Sequence, residues 1–202
     1  MSGVLSDHQI KEIRLHYDAP GRAYHNAAHL DNLLDHFHDI RPLLLSRDAV
    51  EVAIYYHDIV YDPQSGDNEW ESMAQMVADL AGTMEAEIIR DAAVLIEATV
   101  KHELPEEADP AVISDCAYFL DMDLSILGAS NDVFDAYEAG IREEYSFVPE
   151  QQYCEARGQI LARFLNRQRL YFTDYFSSRY EARARLNVMR SLAALDSLAP
   201  AL

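Results

Sequence analysis

The sequence predicts an all-α protein built from about eight or nine helices. In most segments the apolar residues recur at a spacing near 3.6, which is the period of a helix face. Only seven glycines and seven prolines interrupt the 202 residues, and no segment shows the apolar–polar alternation of a half-buried strand. Half of the residues are hydrophobic, and they are spread along the whole length. We therefore expect one compact domain over 1–202 with a large helical core.

The first four helices have apolar faces or recognisable N-terminal boundaries. The segment SDHQIKEIRLHY places Ile10 and Tyr17 on one face. Ser46 precedes RDAVEVAIYYHDIVY as an N-cap, and Asn68 with Glu71 three residues later resembles a capping box. The predicted segments are 6–17, about 25–40, 47–61 and 69–82.

The remaining five helices are separated by prolines, a glycine and a capping serine. Pro105 and Pro110 bound a loop after a long helix. Gly128 ends the next helix, Ser130 caps the one after it, and Pro149 begins the following segment. The predicted segments are 84–102, 111–128, 131–145, 149–166 and 178–195.

The acidic composition excludes several classes of partner. Asp and Glu number 35 against 16 Lys and Arg, a formal charge of −19, and such a field repels the backbone of a nucleic acid polymer. No basic cluster suits a membrane surface, and no apolar run approaches the roughly 20 residues that a spanning helix needs. The segment MSGVLSDHQI lacks a secretory signal pattern. Because the two cysteines, Cys116 and Cys154, form no motif, we expect a cytoplasmic location.

Two short segments hold three histidines and a carboxylate. AYHNAAHLDN contains His25 and His29 four residues apart, so on a helix they lie on one face, one turn from each other. AIYYHDIVYD contains His57 next to Asp58, and on an ideal helix these two side chains diverge by about 100°. Imidazole with carboxylate suits a borderline or hard divalent metal, and the absence of thiolates argues against a structural zinc cage.

A third acidic position lies in the segment YFLDMDLSIL. Asp121 and Asp123 interrupt an otherwise apolar helix that contains Phe119 and Leu124. A carboxylate in such surroundings is costly to bury unless it is paired or bound to a metal. These two aspartates are therefore further candidate ligands.

The order of these motifs resembles the HD superfamily of metal-dependent phosphohydrolases, whose signature is a histidine, a His-Asp doublet and a distant aspartate on helices. YHNAAH also resembles the opening motif of cyclic-nucleotide phosphodiesterases, which share that helical core. The chain is most similar to a bacterial branch of predicted HD phosphohydrolases with the blocks YHN..H, HD.VYD, DNE.S and FLD.DL.ILG. Here these blocks are residues 24–29, 57–62, 67–72 and 119–128.

The resemblance implies a ligand set and an architecture. His29, His57 and Asp58 would bind the metal, together with Asp121 or Asp123; the sequence leaves both open, and we prefer Asp121 as the ligand. The fold would be a phosphodiesterase-like helical bundle with its core in about 20–130. The C-terminal helices would pack on that core, close the mouth of the pocket or provide a face for a homodimer.

The resemblance also implies roles for residues around the metal. His25 matches the position that protonates the leaving oxygen in the phosphodiesterases, although it could instead orient a ligand or substrate. Glu69 would accept a hydrogen bond from a ligating imidazole, or simply favour the start of its helix. From their positions rather than from the resemblance, Arg22, three residues before His25, or Lys101, beside His102, could hold a phosphate; the alternative is that both are surface residues. His102 is the only histidine between Asp58 and Asp121, which favours one well-built metal site, with His102 in a substrate role or weakly supporting a second ion.

The function implied is hydrolysis of a phosphate ester in a small phosphorylated molecule; a nucleoside monophosphate, a cyclic nucleotide and a small sugar phosphate are all open as substrates. Histidine and carboxylate ligands serve Mn, Mg, Fe, Co, Ni and Zn, so the sequence does not distinguish among these divalent ions. Two alternatives remain open. One is an HD-type iron oxygenase, and the other is a non-catalytic helical module that binds a metal or a nucleotide.

Overall fold

The computed structural model describes residues 4–198, which form nine α-helices and no strand. The predicted all-α class is confirmed, as is the predicted number of helices. No helix in this span combines the length and apolar character needed to cross a bilayer. The helices, in chain order, are α1 (Asp7–Tyr17), α2 (Ala27–Ile40), α3 (Arg47–Tyr56), α4 (Asn68–Leu80), α5 (Ala86–Thr99), α6 (Pro110–Asp123), α7 (Asn131–Glu144), α8 (Glu150–Leu165) and α9 (Asp174–Leu198).

The described chain falls into two compact units, which divide between Met122 and Asp123. In the first unit α3 packs against α1, α2, α4 and α5. All of its residues from Ala49 to Tyr56 are buried, as expected for a helix that is surrounded by other helices. The central position of α3 brings its C-terminal end, and the His-Asp doublet that follows, into the interior of this unit. The predicted single domain stays a prediction.

The second unit is organised around α9, which packs against α8 and against a 3₁₀ helix, Leu124–Gly128. Gly128 is required at this contact, because a Cβ atom there would lie 2.6 Å from the Cβ of Tyr180. The side chain of Asn187 on α9 donates hydrogen bonds to the carbonyl oxygens of Leu127 (2.9 Å) and Ala129 (3.0 Å). The end of the FLD.DL.ILG block is thus bound to α9 by close packing and by hydrogen bonds. The dimer face expected on the C-terminal helix stays a prediction.

Several helix boundaries differ from the predicted ones. The predicted third helix continued to Tyr61, whereas α3 ends at Tyr56. The sixth helix was predicted to reach Gly128, but α6 ends at Asp123 and the chain tightens into the 3₁₀ helix. The last helix begins at Asp174, four residues before the predicted start. Periodicity alone does not detect these ends, because the apolar spacing continues through each of them.

None of the three predicted N-caps makes its expected side-chain hydrogen bond, and Ser130 lies at the N-cap position of α7 without one. Ser46 lies at the N-cap position of α3, but its side chain makes no cap hydrogen bond. The carboxylate of Asp115 instead accepts from the backbone N–H of Leu45 (3.0 Å) and of Ser46 (2.6 Å). The capping box predicted at Asn68 is wrong, because Asp67 is the N-cap of α4 and makes no side-chain cap hydrogen bond. Asn68 instead binds a neighbouring loop, which belongs to the candidate site.

Candidate metal centre

The start of α2 positions His29. Asn26 is its N-cap, and the Asn26 Oδ1 atom accepts from the backbone N–H of Ala28 at 2.9 Å. The Asn26 Nδ2 group donates to the carbonyl of Ala23 at 2.9 Å, which folds the preceding loop against the helix start. His29 lies in the first turn of α2 and is 4% exposed. His25, which was predicted to lie on this helix, precedes the N-cap and belongs to the loop.

The end of α3 positions the His-Asp doublet. His57 is the C-cap residue, and its backbone N–H donates to the Ala53 carbonyl at 2.9 Å. Asp58 lies in the turn beyond the helix. The divergence of about 100° expected on a continuous helix therefore does not apply. In this turn Asp58 Oδ2 lies 3.1 Å from His57 Nε2, so adjacent residues present their polar atoms to the same point.

The two segments meet at the imidazoles. His29 Nε2 lies 3.1 Å from His57 Nε2 and 3.6 Å from Asp58 Oδ2. Two nitrogen ligands that each lie about 2.1 Å from one ion, at nearly a right angle, are about 3 Å apart. The predicted grouping of His29, His57 and Asp58 is therefore present with separations that suit a shared cation.

A second carboxylate reaches the same imidazoles from the end of α6. Asp123 offers an oxygen, and the donor atoms of His29, His57 and Asp123 all lie within 4.8 Å of one another. Asp121, which the sequence argument preferred, is fully buried and is not in this group. Asp58 is likewise outside this group although its Oδ2 atom lies 3.1 Å from His57 Nε2, so the grouping favours Asp123 as a ligand and the choice between Asp121 and Asp123 stays a prediction.

A backbone carbonyl defines the tautomer of His57. Its Nδ1 atom lies 3.0 Å from the carbonyl oxygen of Ile54. A carbonyl only accepts, so Nδ1 carries the proton, and in neutral imidazole the lone pair is then on Nε2. This is the arrangement in which a ligating histidine is oriented by a hydrogen bond to its other nitrogen. Nε2 of His57 faces the Asp58 oxygen at 3.1 Å, as an N–H donor when the imidazole is charged and as a lone pair for a cation when it is neutral.

Asp58 is held as a carboxylate. Burial raises its pKa, but the nearby charge and hydrogen bond of His57, and then the charges of His25 and His29, outweigh burial. The net effect is a pKa well below the usual range of an aspartic acid. A deprotonated carboxylate is the form that binds a metal, so this group needs no proton loss before it becomes a ligand.

His25 lies beside the ligands and is half-buried. Its ring centroid is 5.8 Å from that of His29 and 4.3 Å from that of Tyr61, on which it stacks at an interplanar angle of 29°. Tyr61 was missed in the sequence analysis, although it belongs to the HD.VYD block. The sequence motif therefore contained Tyr61, but an aromatic residue at this position is equally typical of the apolar core of a helix.

Helix α4 holds the segment that carries Tyr61. The Ser72 hydroxyl accepts from the N–H of Val60 at 3.1 Å and donates to the carbonyl of Val60 at 3.2 Å. Two residues further, Asn68 accepts from the N–H of Asp62 and donates to its carbonyl, both at 2.9 Å. Asn68 and Ser72 are four residues apart and share one face of α4. The DNE.S block thus anchors the extended segment on either side of Tyr61.

Arg22 contacts backbone carbonyls on both sides of the site. Its Nη1 atom donates to the carbonyls of His25 (2.9 Å) and Asp58 (2.7 Å), and its Nη2 atom donates to the carbonyl of Ile59 (2.9 Å). Its guanidinium carbon also lies 5.4 Å from the centroid of the Tyr61 ring. These contacts direct the guanidinium at the protein's own backbone, and the expected role in holding a phosphate stays a prediction.

The other candidate residues lie outside the ligand group. Lys101 is exposed in the turn after α5, and His102 follows it with a φ of 52°, in the left-handed region. Neither belongs to a metal-compatible group within the part of the chain that the structure describes. Glu69 lies in the first turn of α4 and makes no hydrogen bond to an imidazole among residues 4–198. Its position agrees with the alternative reading, an acid that favours the start of a helix.

The predicted likeness to known families rests on the motifs alone. No protein-family model matches the chain, and the search of curated proteins and the search of solved structures both give no match. Membership of the HD superfamily therefore stays a prediction. What the structure adds is a helical fold in which two histidines and an aspartate form a group that could hold a metal ion.

Proposed function

We propose that the protein is a metal-dependent phosphohydrolase that cleaves a phosphate ester of a small molecule. One observation supports this most: carboxylates from two helix ends approach the same pair of imidazoles, and the residues involved are up to 94 positions apart in the sequence. His29 comes from the start of α2, His57 and Asp58 follow α3, and Asp123 ends α6. Both imidazoles are buried and carboxylates lie beside them, an arrangement that a bound cation stabilises.

The donor set suits a divalent ion with open coordination positions. Two imidazole nitrogens and two carboxylates are the ligands of Mn, Mg, Fe, Co, Ni or Zn, and the geometry does not select among them. When bound, such an ion polarises a phosphoryl oxygen and lowers the pKa of water. Both cysteines are free and buried, and burial raises the pKa of the Cys116 thiol to about 12. Cys116 is therefore not a thiolate ligand at neutral pH.

His25 is the residue we assign to proton transfer. It is half-buried, lies next to His29 and Asp58, and is not one of the four ligands. As an imidazolium it can donate a proton to the departing oxygen of the substrate, which is the general-acid role typical of histidine. Stacking on Tyr61 restricts the orientation of its ring, so the acid would be held in one place.

A cation at this site also resolves the conflict between an acidic protein and an anionic substrate. The chain carries a formal charge of −19, which repels phosphate at long range. A bound divalent ion is the largest local charge in its surroundings and reverses the sign of the field there. The small phosphorylated substrate and the cytoplasmic location both belong to this proposal.

The decisive experiment combines metal analysis with hydrolysis assays. Protein purified without chelator is analysed for bound metal and then assayed on a panel of phosphomonoesters and phosphodiesters, with each divalent ion and with EDTA. We expect turnover that EDTA abolishes and that His57→Ala lacks. The matched control is His8→Ala, since the His8 side chain is 84% exposed. We expect this control to retain full activity.

The same experiment separates the alternatives. Metal bound with no turnover on any substrate would favour the non-catalytic binding module. Two irons per chain with oxygen uptake would favour the oxygenase. Turnover that survives EDTA and His57→Ala would contradict the proposal altogether.

A further inference from the structure

The three carbonyls that Arg22 binds belong to two segments far apart in the sequence. The His25 carbonyl lies in the loop before α2, while those of Asp58 and Ile59 lie in the turn after α3. One rigid guanidinium therefore joins the segment that leads to His29 to the segment that carries Asp58. A planar fork with donors at fixed angles suits this task, because it constrains both partners at once.

The turn after α3 needs such a donor. The last carbonyls of a helix, and those of a turn that follows it, have no intrahelical partner, and an unsatisfied buried carbonyl is destabilising. A positive charge at the C-terminal end of a helix is also favoured by the helix dipole. Arg22 supplies both the donors and the charge, and α4 holds the next residues through Ser72 and Asn68.

We propose that Arg22 is a positioning residue for the metal centre: it keeps the His25–His29 segment and the His57–Asp58 turn in register before any ion binds. This inference rests on the proposed function. It differs from phosphate binding by Arg22 in a measurable way. A phosphate-binding residue changes the KM for substrate at every metal concentration, whereas a positioning residue changes the affinity for the metal itself.

Because Arg22 is charged, loss of its charge and loss of its positioning role should change the affinity for the metal in opposite directions. A cation beside a metal site repels the ion, so removing the charge would by itself tighten metal binding. Positioning predicts the opposite, since loss of the fork releases both segments and the ligands must be ordered when the ion binds. Arg22→Met and Arg22→Lys separate these effects, because lysine keeps the charge and loses the planar fork.

The experiment measures the Kd for Mn²⁺ of the full chain by isothermal titration calorimetry. We expect Arg22→Met to bind Mn²⁺ about 10- to 100-fold more weakly than the wild-type protein, the range typical of residues that support metal ligands. Arg22→Lys should fall between the two. The control is Arg90→Met, since Arg90 is 66% exposed in the same unit and forms only local ion pairs, with Glu87 and Asp91. This control should bind Mn²⁺ within about 2-fold of wild type.

A second measurement uses the hydrolysis assay. The activity of Arg22→Lys should return to the wild-type level when Mn²⁺ is raised far above its Kd, with an unchanged KM for substrate. An Arg22→Met protein that binds Mn²⁺ as tightly as wild type, or more tightly, would overturn the inference and leave the proposed function standing. If Arg22→Met does not fold, Arg22→Lys decides the question by the same comparison. Failure of the wild-type protein to bind any divalent ion would remove the proposed function, and this inference with it.

Discussion

Each of the two units contains a cluster of buried polar side chains, and the two clusters are built on different principles. In the second unit, the arginine cluster consists of Arg157, Glu138, Tyr137 and Ser191. Arg157 donates to the Tyr137 hydroxyl at 2.6 Å and to one oxygen of Glu138, while the Ser191 hydroxyl donates to the other oxygen at 2.8 Å. Here a cation meets an anion, and both carboxylate oxygens accept hydrogen bonds. The cluster joins α7, α8 and α9.

In the first unit, the imidazole cluster consists of His29, His57 and Asp58. Its close contacts bring possible metal ligands together: Asp58 Oδ2 lies 3.1 Å from the Nε2 atom of His57, and the two Nε2 atoms lie 3.1 Å apart. This difference between the arginine cluster and the imidazole cluster distinguishes polar residues that stabilise the fold from polar residues that bind a ligand. Matched donors and acceptors stabilise the protein by themselves, whereas converging acceptors become stable when a cation joins them.

The largest expected effect comes from breaking the arginine cluster. Glu138→Ala leaves the Arg157 charge buried without its carboxylate, and Arg157 is 8% exposed. Removal of one partner of a buried pair typically lowers the free energy of unfolding by about 3–5 kcal/mol. Urea denaturation followed by circular dichroism measures this loss.

The control for Glu138→Ala is an exposed acid that is also paired with an arginine. Asp174 accepts from Arg169 at 2.8 Å, but its side chain is 97% exposed. Asp174→Ala should therefore change the free energy of unfolding by less than about 1 kcal/mol. Equal effects at Glu138 and Asp174 would contradict the view that the arginine cluster is a stabilising element.

The second effect concerns the imidazole cluster. Unlike the arginine cluster, it should stabilise the protein only when a divalent ion is in solution. Mn²⁺ at about 100 times its Kd should raise the free energy of unfolding of the wild-type protein by about 2.7 kcal/mol, because the ion binds only the folded state. EDTA should reverse the gain. Thermal melts with and without Mn²⁺ measure the increment.

The two aspartates of α6 provide a matched pair for this measurement. Asp123→Asn should remove most of the increment that Mn²⁺ produces, since Asp123 lies with the imidazoles. Asp121→Asn should keep the increment, whatever it does to the stability of the protein without metal. A loss of the increment in Asp121→Asn alone would return the ligand role to Asp121.

The fold class could be predicted because helical periodicity is a local property of the sequence. His29, His57 and Asp58 could also be predicted as a group, since their residue types and order are unusual in an acidic helical chain. The choice between Asp121 and Asp123 could not, because both interrupt the same apolar helix and only the packing of α6 decides which of them approaches the imidazoles. Periodicity favoured neither.

The role of Arg22 was beyond the sequence for a different reason. Its partners are backbone carbonyls, which every residue has, so no pattern of side chains in the sequence predicts which carbonyls it binds. The same holds for Asn68 and Ser72, whose hydrogen bonds to backbone groups of Asp62 and Val60 depend on α3 ending at Tyr56. The tertiary structure of this site is held by side chains that bind backbone groups. Sequence patterns identify mainly the other kind of residue, whose side chain faces a ligand.

The smallest expected effect tests a buried acid that belongs to neither cluster. Glu51 on α3 is 8% exposed. Burial raises its pKa, and this outweighs the hydrogen bond from the backbone of residue 4 and the attraction of Arg41. A carboxyl whose pKa is raised by folding stabilises the protein fully below the unfolded pKa of about 4.3, and this contribution is lost as the pH rises through the folded pKa.

Glu51→Gln removes that pH dependence and so isolates the cost of a buried charge without a metal. We expect the variant to unfold at a higher urea concentration than wild type at pH 7, and the difference to shrink as the pH is lowered towards 4. Since burial outweighs both the backbone hydrogen bond and the attraction of Arg41, the charge of Glu51 at neutral pH should be a net cost. A variant less stable than wild type at pH 7 would show that Arg41 and the backbone compensate Glu51 as fully as Arg157 compensates Glu138. Burial of an acid would then no longer distinguish a matched cluster from one that needs a cation, and the assignment of the imidazole cluster would rest on its geometry alone.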